Sequence, residues 1–424
     1  MSGKPAGPVL GCIADDYTGG TDVAAALRRA GLRTVLLFGA PEAGRQLPPC
    51  DAAVVALKSR TVPARDAVPQ SLKVQRWLRD QGVELVYFKY CSTFDSTDAG
   101  NIGPVADALL DTAGAPMTLI CPASPEHGRT VYRGHLFVGD TLLSESPMRH
   151  HPLTPMTDAN LVRVMGRQTP HPVGLLPLSV VRAGREAVAA RLAQLHADAV
   201  RHVVVDATDD DDLDVVAAAA GSFAVLTGGA GLARAVGAAT AQGAATVGTP
   251  RPAPLPAGAG LVLAGSCSAA TLAQVDHARS AFPSHRLDPA ATPDPNELLA
   301  TAAAWLHEHI GEAPLMIYSS APVEQRQAAI AALGPGTAEI LEQTLGALAR
   351  TAVDLGVRRL VVAGGETSGA VVSALGVDAV VVDREEDRGV PWCITPEPPV
   401  LGLLLKSGNF GRPDLLVRAV KGAA

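Results

Sequence analysis

Two glycine-rich segments in the last quarter of the chain have residue types and spacing suited to chemistry. The apolar run 358–363 leads directly into Gly-Gly-Glu-Thr-Ser-Gly at 364–369, and Leu-Lys-Ser-Gly-Asn-Phe-Gly follows at 405–411. Glycine lets a backbone approach an anion closely, and the N–H groups of a helix start point toward it with a favourable dipole. The pattern predicts an anion site, and it favours a nucleotide phosphate.

A third segment repeats the order of strand, glycine and hydroxyl. It reads Leu-Ala-Gly-Ser-Cys-Ser at 263–268, and alone it is weak evidence because Ser is an ordinary helix cap. With the two glycine-rich segments it predicts one nucleotide pocket. The chain has no P-loop, and Gly-Gly-Ala-Gly-Leu-Ala-Arg at 228–234 lacks the third small residue of a dinucleotide fingerprint.

Acidic residues are concentrated near the amino terminus. Asp15, Asp16 and Asp22 lie with two threonines and two glycines just after the predicted strand 9–14, in a loop that would open a helix. Asp and Thr are ordinary helix caps and turn formers, which explains one such residue better than three. Because ligands bind at the carboxyl ends of strands in open α/β sheets, we expect these carboxylates to orient substrate hydroxyls and to supply a general base.

Basic residues follow two further predicted strands. Arg60 comes after the strand 53–57, and Lys89 lies near the end of the strand 85–90, with Ser92 just beyond it. Cations beside hydroxyl donors at strand ends predict a site for a substrate carboxylate. The alternative for such loops is a solvated turn with capping residues. The adjacent pair His150 and His151 has no third ligand at metal spacing, so no protein metal site is predicted.

Composition limits the class of protein. The chain has 424 residues, of which 47% are hydrophobic, and this predicts two or three domains with large aliphatic cores. A net charge of −7 argues against binding to nucleic acid. Six scattered cysteines without Cys-x-x-Cys spacing suit reduced thiols, and we find neither a signal peptide nor a membrane-length apolar run. These features predict a soluble, cytoplasmic protein without a membrane partner, and they leave a homo-oligomer open.

The fold class follows from the alternation of short apolar runs with Ala-rich helical stretches. Continuous apolar strands between helices predict two α/β domains with mainly parallel sheets and an interdomain cleft. The strands are predicted at 9–14, 34–38, 53–57, 85–90, 117–121, 202–206, 224–226, 261–264, 315–319, 360–363 and 379–382, and helices at 22–30, 69–80 and 184–195. The Pro/Gly/Ala-rich stretch 243–260 reads as a linker between domains 1–242 and 261–424.

The chain resembles the four-carbon acid sugar kinase family, and within it most closely the 3-oxo-tetronate 4-kinases. The resemblance rests on segments 13–22, 88–97, 148–152, 364–369 and 405–411, which follow the family order through nearly the whole chain. The chain differs from the common pattern at Gly20, where the family usually has alanine, and at Tyr17, often Phe or Leu.

The resemblance implies ATP-dependent phosphorylation of the 4-hydroxyl of a four-carbon sugar acid, with Mg²⁺ on the ATP phosphates. It implies an N-terminal domain that binds the acid, among Asp15, Asp16, Asp22, Arg60, Lys89 and Ser92, and a C-terminal domain that binds ATP. The implied nucleotide contacts are Ser266, Ser268, Gly364, Gly365, Glu366, Thr367 and Gly408. Asp16 is the favoured base, with Asp15 and Asp22 as alternatives.

The sequence motifs are also compatible with other functions. The family includes threonate and erythronate kinases with similar nucleotide motifs, and segments 88–97 and 148–152 favour the 3-oxo acid. Two further classes are an NAD(P)-dependent dehydrogenase, which requires a proper dinucleotide fingerprint, and a non-catalytic nucleotide sensor. Both fit the motifs less well than a kinase.

Overall fold

The computed structural model describes residues 7–151, 153–243, 253–311 and 313–421. The chain divides into two compact units, Met1–Pro250 and Arg251–Ala424. This division falls within the predicted linker 243–260, of which residues 244–252 lie outside the described residues. Each unit is an α/β structure built around its own run of parallel strands, as the alternation of apolar runs and helices predicts.

The first unit contains strands and helices in alternation. Its strands are β1 (Leu10–Ala14), β2 (Thr34–Phe38), β3 (Ala52–Ala56), β4 (Leu85–Lys89), β5 (Thr118–Cys121), β6 (Arg129–Tyr132), β7 (His135–Val138), β8 (Thr141–Leu142), β9 (Val173–Leu176), β10 (His202–Val205) and β11 (Val225–Gly228). Its helices are α1 (Tyr17–Arg29), α2 (Ala64–Asp80), α3 (Ile102–Ala113), α4 (Leu161–Gly166), α5 (Leu178–Val181), α6 (Arg185–Ala197), α7 (Asp210–Ala219) and α8 (Ala230–Gly243).

The main strands of this unit are parallel, in the order β2-β3-β1-β4-β11-β5-β10-β9, and β6, β7 and β8 form a small antiparallel sheet. Ala14, the last residue of β1, is in register with Ala56 of β3 and Lys89 of β4. From β1 the chain adds β2 and β3 on one side and then β4 on the other. The strand order therefore reverses at β1, where α/β folds place their ligands.

The second unit has a mixed sheet. Its strands are β12 (Ala259–Ala264), β13 (Ser284–Arg286), β14 (Leu315–Tyr318), β15 (Val357–Ala363), β16 (Ala379–Asp387), β17 (Val390–Ile394) and β18 (Gly402–Lys406), and its helices are α9 (Ala269–Arg279), α10 (Pro295–His309), α11 (Val323–Leu333), α12 (Thr337–Asp354), α13 (Gly365–Leu375) and α14 (Leu415–Lys421). The strand order in the sheet is β13-β14-β12-β15-β18-β17-β16. The first five strands of this order are parallel to one another, and β17 is antiparallel to both of its neighbours, β18 and β16.

Several boundaries differ from the sequence-based prediction for identifiable reasons. Helix α1 begins at Tyr17 rather than at residue 22, because the Asp16 side chain caps it by accepting from the Gly19 N–H. Helix α2 begins at Ala64 and includes Pro69, which removes one backbone donor without ending the helix. Strands β6–β9, β13, β17 and β18 were not predicted. In the described parts of the chain, no helix is long and apolar enough to cross a membrane.

Candidate active site

Three predicted residues of the first unit lie at the carboxyl ends of adjacent strands. Asp15 follows β1, Arg60 follows β3, and Lys89 is the last residue of β4. The Asp15 N–H donates to the Lys89 carbonyl (3.0 Å), and the Asp15 carbonyl accepts from the N–H groups of Ser59 (2.9 Å) and Arg60 (3.1 Å). Backbone hydrogen bonds therefore hold the three strand ends together, as the parallel register requires.

Arg60 joins the two adjacent carboxylates. Its guanidinium donates to both oxygens of Asp15, Nε to Oδ2 at 2.9 Å and Nη2 to Oδ1 at 2.7 Å, and Nη2 also donates to Asp16 Oδ1 at 2.6 Å. Burial raises the pKa of the Asp15 carboxyl above its usual value, against the opposing charge of Arg60. With both oxygens held in a planar fork, Asp15 is suited to orienting Arg60.

Asp16 is fully engaged as a helix cap. Its Oδ1 accepts from the Gly19 N–H (2.8 Å) and from Arg60, and its Oδ2 accepts from the Thr18 hydroxyl (2.9 Å). Burial by itself would raise the pKa of Asp16. The charges of Arg60 and Lys89 and the hydrogen bonds from Thr18 and Gly19 outweigh burial and lower that pKa. A satisfied carboxylate with a lowered pKa is a weak proton acceptor.

Asp22 differs from both. It lies within α1, and its Oδ1 is buried without a hydrogen-bond partner among the described residues. Oδ2 is 4.0 Å from Lys89 Nζ, and Oδ1 is 3.6 Å from His127 Nε2. A buried acceptor that lacks a donor is costly unless a ligand supplies one, so Asp22 has the most available oxygen of the three carboxylates.

Lys89 and Gly19 complete this cluster. Lys89 is buried, and its Nζ donates to the Tyr90 carbonyl at 3.0 Å. A Cβ at Gly19 would be 2.2 Å from Asp16 Oδ1 and 3.3 Å from Lys89 Nζ, so only glycine lets α1 start this close to the charges. Ser92, in the turn beyond β4, makes no hydrogen bond with the cluster among the described residues.

In the second unit the three phosphate-type segments also meet at adjacent strand ends. Residues 265–268 follow β12, residues 364–369 follow β15, and residues 407–411 follow β18. The N–H groups of Gly265 (3.0 Å) and Ser266 (3.1 Å) donate to the Ala363 carbonyl, and the Gly364 N–H donates to the Lys406 carbonyl (3.0 Å). The structure thus brings together segments that are up to 140 residues apart in the sequence.

Thr367 explains the need for glycine in two of these segments. Its hydroxyl would be 2.2 Å from a Cβ at Gly265 and 2.8 Å from one at Gly364. Gly364 also has a φ of +135°, a conformation that L side chains rarely adopt. Helix α13 begins at the next residue, Gly365, with no side-chain cap, and both Gly365 and Glu366 are exposed. Its first turn therefore presents backbone N–H groups.

Gly408 lies directly against the segment after β12. A Cβ there would be 2.3 Å from Ser266 Oγ and 3.1 Å from Ser268 Oγ. Ser268 caps α9, accepting from the Thr271 N–H at 3.2 Å, and donates to the Gly408 carbonyl at 2.6 Å. Ser266, Ser268, Thr367 and Gly408 therefore lie close together, and we call this group the glycine platform.

A cavity of about 240 Å³ adjoins the glycine platform. Gly265, Cys267 and Thr367 border it on the platform side. Apolar residues make up more than half of the remaining lining, and its charged residues are Arg286, Arg326 and Glu342. A mainly apolar cavity with a few polar groups beside the predicted anion site is typical of a small-molecule pocket.

Sequence reasoning did not assign a role to Lys406. This residue belongs to the predicted segment 405–411. It differs from an ordinary lysine because its side chain is buried, and its position at the end of a strand does not show this in the sequence. It is fully buried, and burial lowers the pKa of its ammonium to about 7. His127, 3.6 Å from Asp22 Oδ1, was not among the site residues predicted from the sequence.

The described residues contain no group of three or more His, Cys, Asp or Glu side chains placed to hold a metal ion. This arrangement fits Mg²⁺ that is bound mainly through nucleotide phosphates and water, because Mg²⁺ commonly uses only one or two protein carboxylates. Glu366, exposed at the start of α13, is the acidic residue of the phosphate-type segments.

Comparison with known proteins assigns a different ligand class to each of the two parts of the chain. Residues 10–236 match a sugar-binding N-terminal domain, and residues 261–416 match a nucleotide-binding C-terminal domain. The chain is 50% identical to the 3-oxo-tetronate kinase of Burkholderia multivorans, over 100% of both chains, and 51% identical to that of Methylobacterium radiotolerans, over 97% of this chain and 98% of the relative.

Solved structures agree as well. A Haemophilus influenzae protein, 40% identical, matches with a TM-score of 0.80 over 96% of this chain and 98% of its own. A Salmonella typhimurium protein, 38% identical, matches with a TM-score of 0.89 over 97% of this chain and 98% of its own. The chain therefore belongs to the four-carbon acid sugar kinase family.

Proposed function

We propose that this protein transfers the γ-phosphoryl group of ATP to the 4-hydroxyl of 3-oxo-tetronate. The observation that carries this proposal is the glycine platform, where three separate segments bring hydroxyls and the exposed first turn of α13 together beside an apolar cavity. The choice of acid rests on the relatives, which are named 3-oxo-tetronate kinases and are similar to this chain over its full length. A cytoplasmic location, where ATP is available, would suit this activity.

The second unit would bind ATP. The adenosine would enter the apolar cavity, and the phosphates would lie on the glycine platform and the first turn of α13, near Gly364, Gly365 and Glu366. Backbone N–H groups at a helix start stabilise phosphate charge without a mobile side chain. Glu366 would be the carboxylate of these segments available to a nucleotide-bound Mg²⁺, which would supply charge neutralisation on the transferred group.

The first unit would bind the acid. Lys89 and Arg60 are its cations at the strand ends, and we assign the substrate carboxylate to them, with Ser92 as a further hydroxyl donor. Arg60 is held in place by Asp15 and Asp16, so its direction is fixed before substrate binds. Such pre-organisation reduces the entropy lost on binding.

We assign the general base to Asp22 rather than to Asp16, which the sequence favoured. The substrate 4-hydroxyl would donate its proton to Asp22 Oδ1 as its oxygen forms a bond to the γ-phosphorus, and the bond between that phosphorus and the bridging oxygen of ADP breaks. Asp16 has no comparable free acceptor, since its oxygens accept three hydrogen bonds. Lys89 Nζ, 4.0 Å from Asp22 Oδ2, is the nearby cation on the side of the other carboxylate oxygen.

ADP release in the presence of 3-oxo-tetronate, threonate and erythronate tests the activity. We expect the highest kcat/KM with 3-oxo-tetronate. Preference for threonate or erythronate would move the assignment within the family, and the absence of acid-dependent ADP release with all three would refute the kinase function. Protection from proteolysis by NAD(P) but not by ATP would favour a dehydrogenase instead.

The base assignment has its own test. We expect Asp22→Asn to lower kcat by about 10²- to 10⁴-fold and to remove the acid limb of the pH–kcat profile, because a general base must be ionised. Asp80→Asn, an exposed carboxylate at the end of α2, is the matched control and should leave kcat unchanged. An equal loss of kcat in Asp16→Asn, with native stability and a flattened acid limb, would return the base to Asp16.

A further inference from the structure

Lys406 connects the two glycine-rich segments of the second unit. As the last residue of β18 it is in register with Ala363 of β15, and its carbonyl accepts from the Gly364 N–H at 3.0 Å. Its side chain holds its own segment to α9, because Nζ donates to the Gly408 carbonyl at 3.1 Å and to Thr271 Oγ1 at 2.9 Å. One residue thus fixes both sides of the glycine platform.

The Gly408 carbonyl accepts three donors. Besides Lys406 Nζ, it accepts from the hydroxyls of Ser268 (2.6 Å) and Thr271 (2.8 Å). In a trans peptide the N–H points opposite to the carbonyl, so fixing this carbonyl inward directs the Asn409 N–H away from the three donors. The loop is therefore held in one orientation by the Lys406 amine and two hydroxyls.

The ammonium has no carboxylate partner within 4.0 Å among the described residues, and its contacts are neutral oxygens. Helix α9 packs Ser268, Thr271 and Gln274 toward this region, and β12 and β17 have no charged side chains. The charged groups of the surrounding elements do not face the Lys406 ammonium. Those that are exposed are Asp276, His277, Arg279, Glu366 and Lys421, and those at the amino end of β15 are Arg358 and Arg359. The remaining groups pair with one another: Asp387 binds both Arg412 and Arg418, and Asp414 also binds Arg418.

A buried ammonium without a counter-ion costs free energy, and the usual outcome is either a lowered pKa or a ligand that supplies the missing charge. Burial lowers the pKa of Lys406 to about 7. The segments that it joins are those assigned to the nucleotide phosphates. A polyphosphate bound there would favour the protonated form of the lysine.

We propose that Lys406 is the positioning residue of the nucleotide site, and that it acquires a proton when the polyphosphate binds and then serves as a buried counter-charge beneath the loop 407–411. This inference rests on the proposed function, because it requires ATP or ADP at the glycine platform. The proton comes from solvent and joins the Nζ lone pair, and no covalent bond to the nucleotide is formed.

Calorimetric titration with MgADP at about pH 8, in two buffers with different ionisation enthalpies, measures the proton uptake. At this pH the nucleotide phosphates are already deprotonated, so they contribute little. We expect wild type to take up roughly 0.5–0.9 proton per MgADP, and its affinity to fall by up to about tenfold per pH unit above pH 7. Lys406→Met should bind at least about tenfold more weakly and show no uptake.

Two further variants separate charge from structure. Lys421→Met, an exposed lysine of α14, is the matched control and should retain both affinity and proton uptake. Lys406→Arg carries a permanent charge, so we expect binding without uptake and with a flat pH dependence. If Lys406→Met does not fold, Lys406→Arg decides the question.

The outcomes distinguish this inference from the function on which it rests. MgADP binding by wild type without proton uptake, or uptake retained in either Lys406 variant, would overturn the role of Lys406 and leave the kinase function intact. No MgADP binding by wild type in the folded state would overturn the nucleotide site itself, and the inference with it.

Discussion

Replacing Arg60 with Met is expected to destabilise the first unit severely at neutral and alkaline pH. Arg60 donates three charge-assisted hydrogen bonds of 2.6–2.9 Å to Asp15 and Asp16. Met keeps much of the side-chain volume and removes every donor. The two carboxylates then repel each other in a site where the Asp15 side chain is only 4% exposed.

The magnitude follows from the geometry. Removing one partner of a buried ion pair costs about 3–5 kcal/mol, and because the side chains of Arg60 and Asp16 are 21% and 24% exposed we use the lower end, about 3 kcal/mol. This is roughly two orders of magnitude in the unfolding equilibrium. Urea unfolding followed by hydrogen-exchange mass spectrometry on peptides from β1 and β3 reports on this unit separately.

The pH dependence gives the sharper test. In wild type the pKa of Asp16 is lowered, so the stability that it contributes is present above its unfolded pKa and is lost as pH falls through the folded value. Without Arg60, burial would raise the pKa of both carboxyls, and their protonation would relieve the cost. We therefore expect the stability gap between wild type and Arg60→Met to narrow from about pH 8 to about pH 5.

Arg65→Met is the matched control. Arg65 is 84% exposed and 3.7 Å from the exposed Asp66, a surface pair worth at most about 1 kcal/mol. If Arg60→Met were no less stable than Arg65→Met, or if its deficit grew on acidification, the electrostatic account of this cluster would be wrong. Adding Asp15→Asn to Arg60→Met should restore part of the stability, since it removes one of the two opposing charges.

Two further predictions concern other parts of the chain. Gly408→Ala should weaken MgATP binding at least about tenfold with little loss of fold, because its Cβ would lie 2.3 Å from Ser266 Oγ. Gly311→Ala is the control and should bind MgATP normally, because a Cβ there meets nothing within 4 Å. Equal MgATP affinities of the two variants in a titration would contradict the packing argument. Asp107→Asn should cost about 1–3 kcal/mol above pH 5 and less in acid. Burial would raise the pKa of Asp107, but hydrogen bonds from His202 and Thr169 hold that pKa below its usual value. Wild type therefore loses this stabilisation as pH falls. If urea titrations gave the same difference in unfolding free energy between wild type and Asp107→Asn at pH 7 and at pH 3, this account would be wrong.

The predicted elements that matched best were the strands that are apolar on both faces. The run 34–38 is β2 to the residue, and the other strands of the first unit predicted from apolar runs differ by one or two residues at their ends. The antiparallel strands β6, β7 and β8 were missed because their residues are short, partly exposed runs without a continuous apolar pattern. Domain bounds at 242 and 261 and the interdomain cleft stay predictions.

The sequence by itself determined which residue types follow which strands in the candidate site. Glycines after apolar runs, carboxylates after β1 and cations after β3 and β4 are local patterns, and parallel strands necessarily collect their carboxyl ends at one edge of a sheet. The family follows from the same motifs. These features depend on neighbours within a few residues, which a linear reading includes.

Only the tertiary structure decided how those residues differ from one another. Asp15, Asp16 and Asp22 are all candidate bases in the sequence, with Asp16 favoured. In the structure Arg60, 44 residues beyond Asp16, binds the first two, and among the described residues a buried oxygen of Asp22 has no donor. Likewise Lys406 becomes a buried cation because Thr271, 135 residues away, and the Gly408 carbonyl enclose it. Burial and hydrogen-bond satisfaction set the properties of a charged group, and both depend on residues that are distant in the chain.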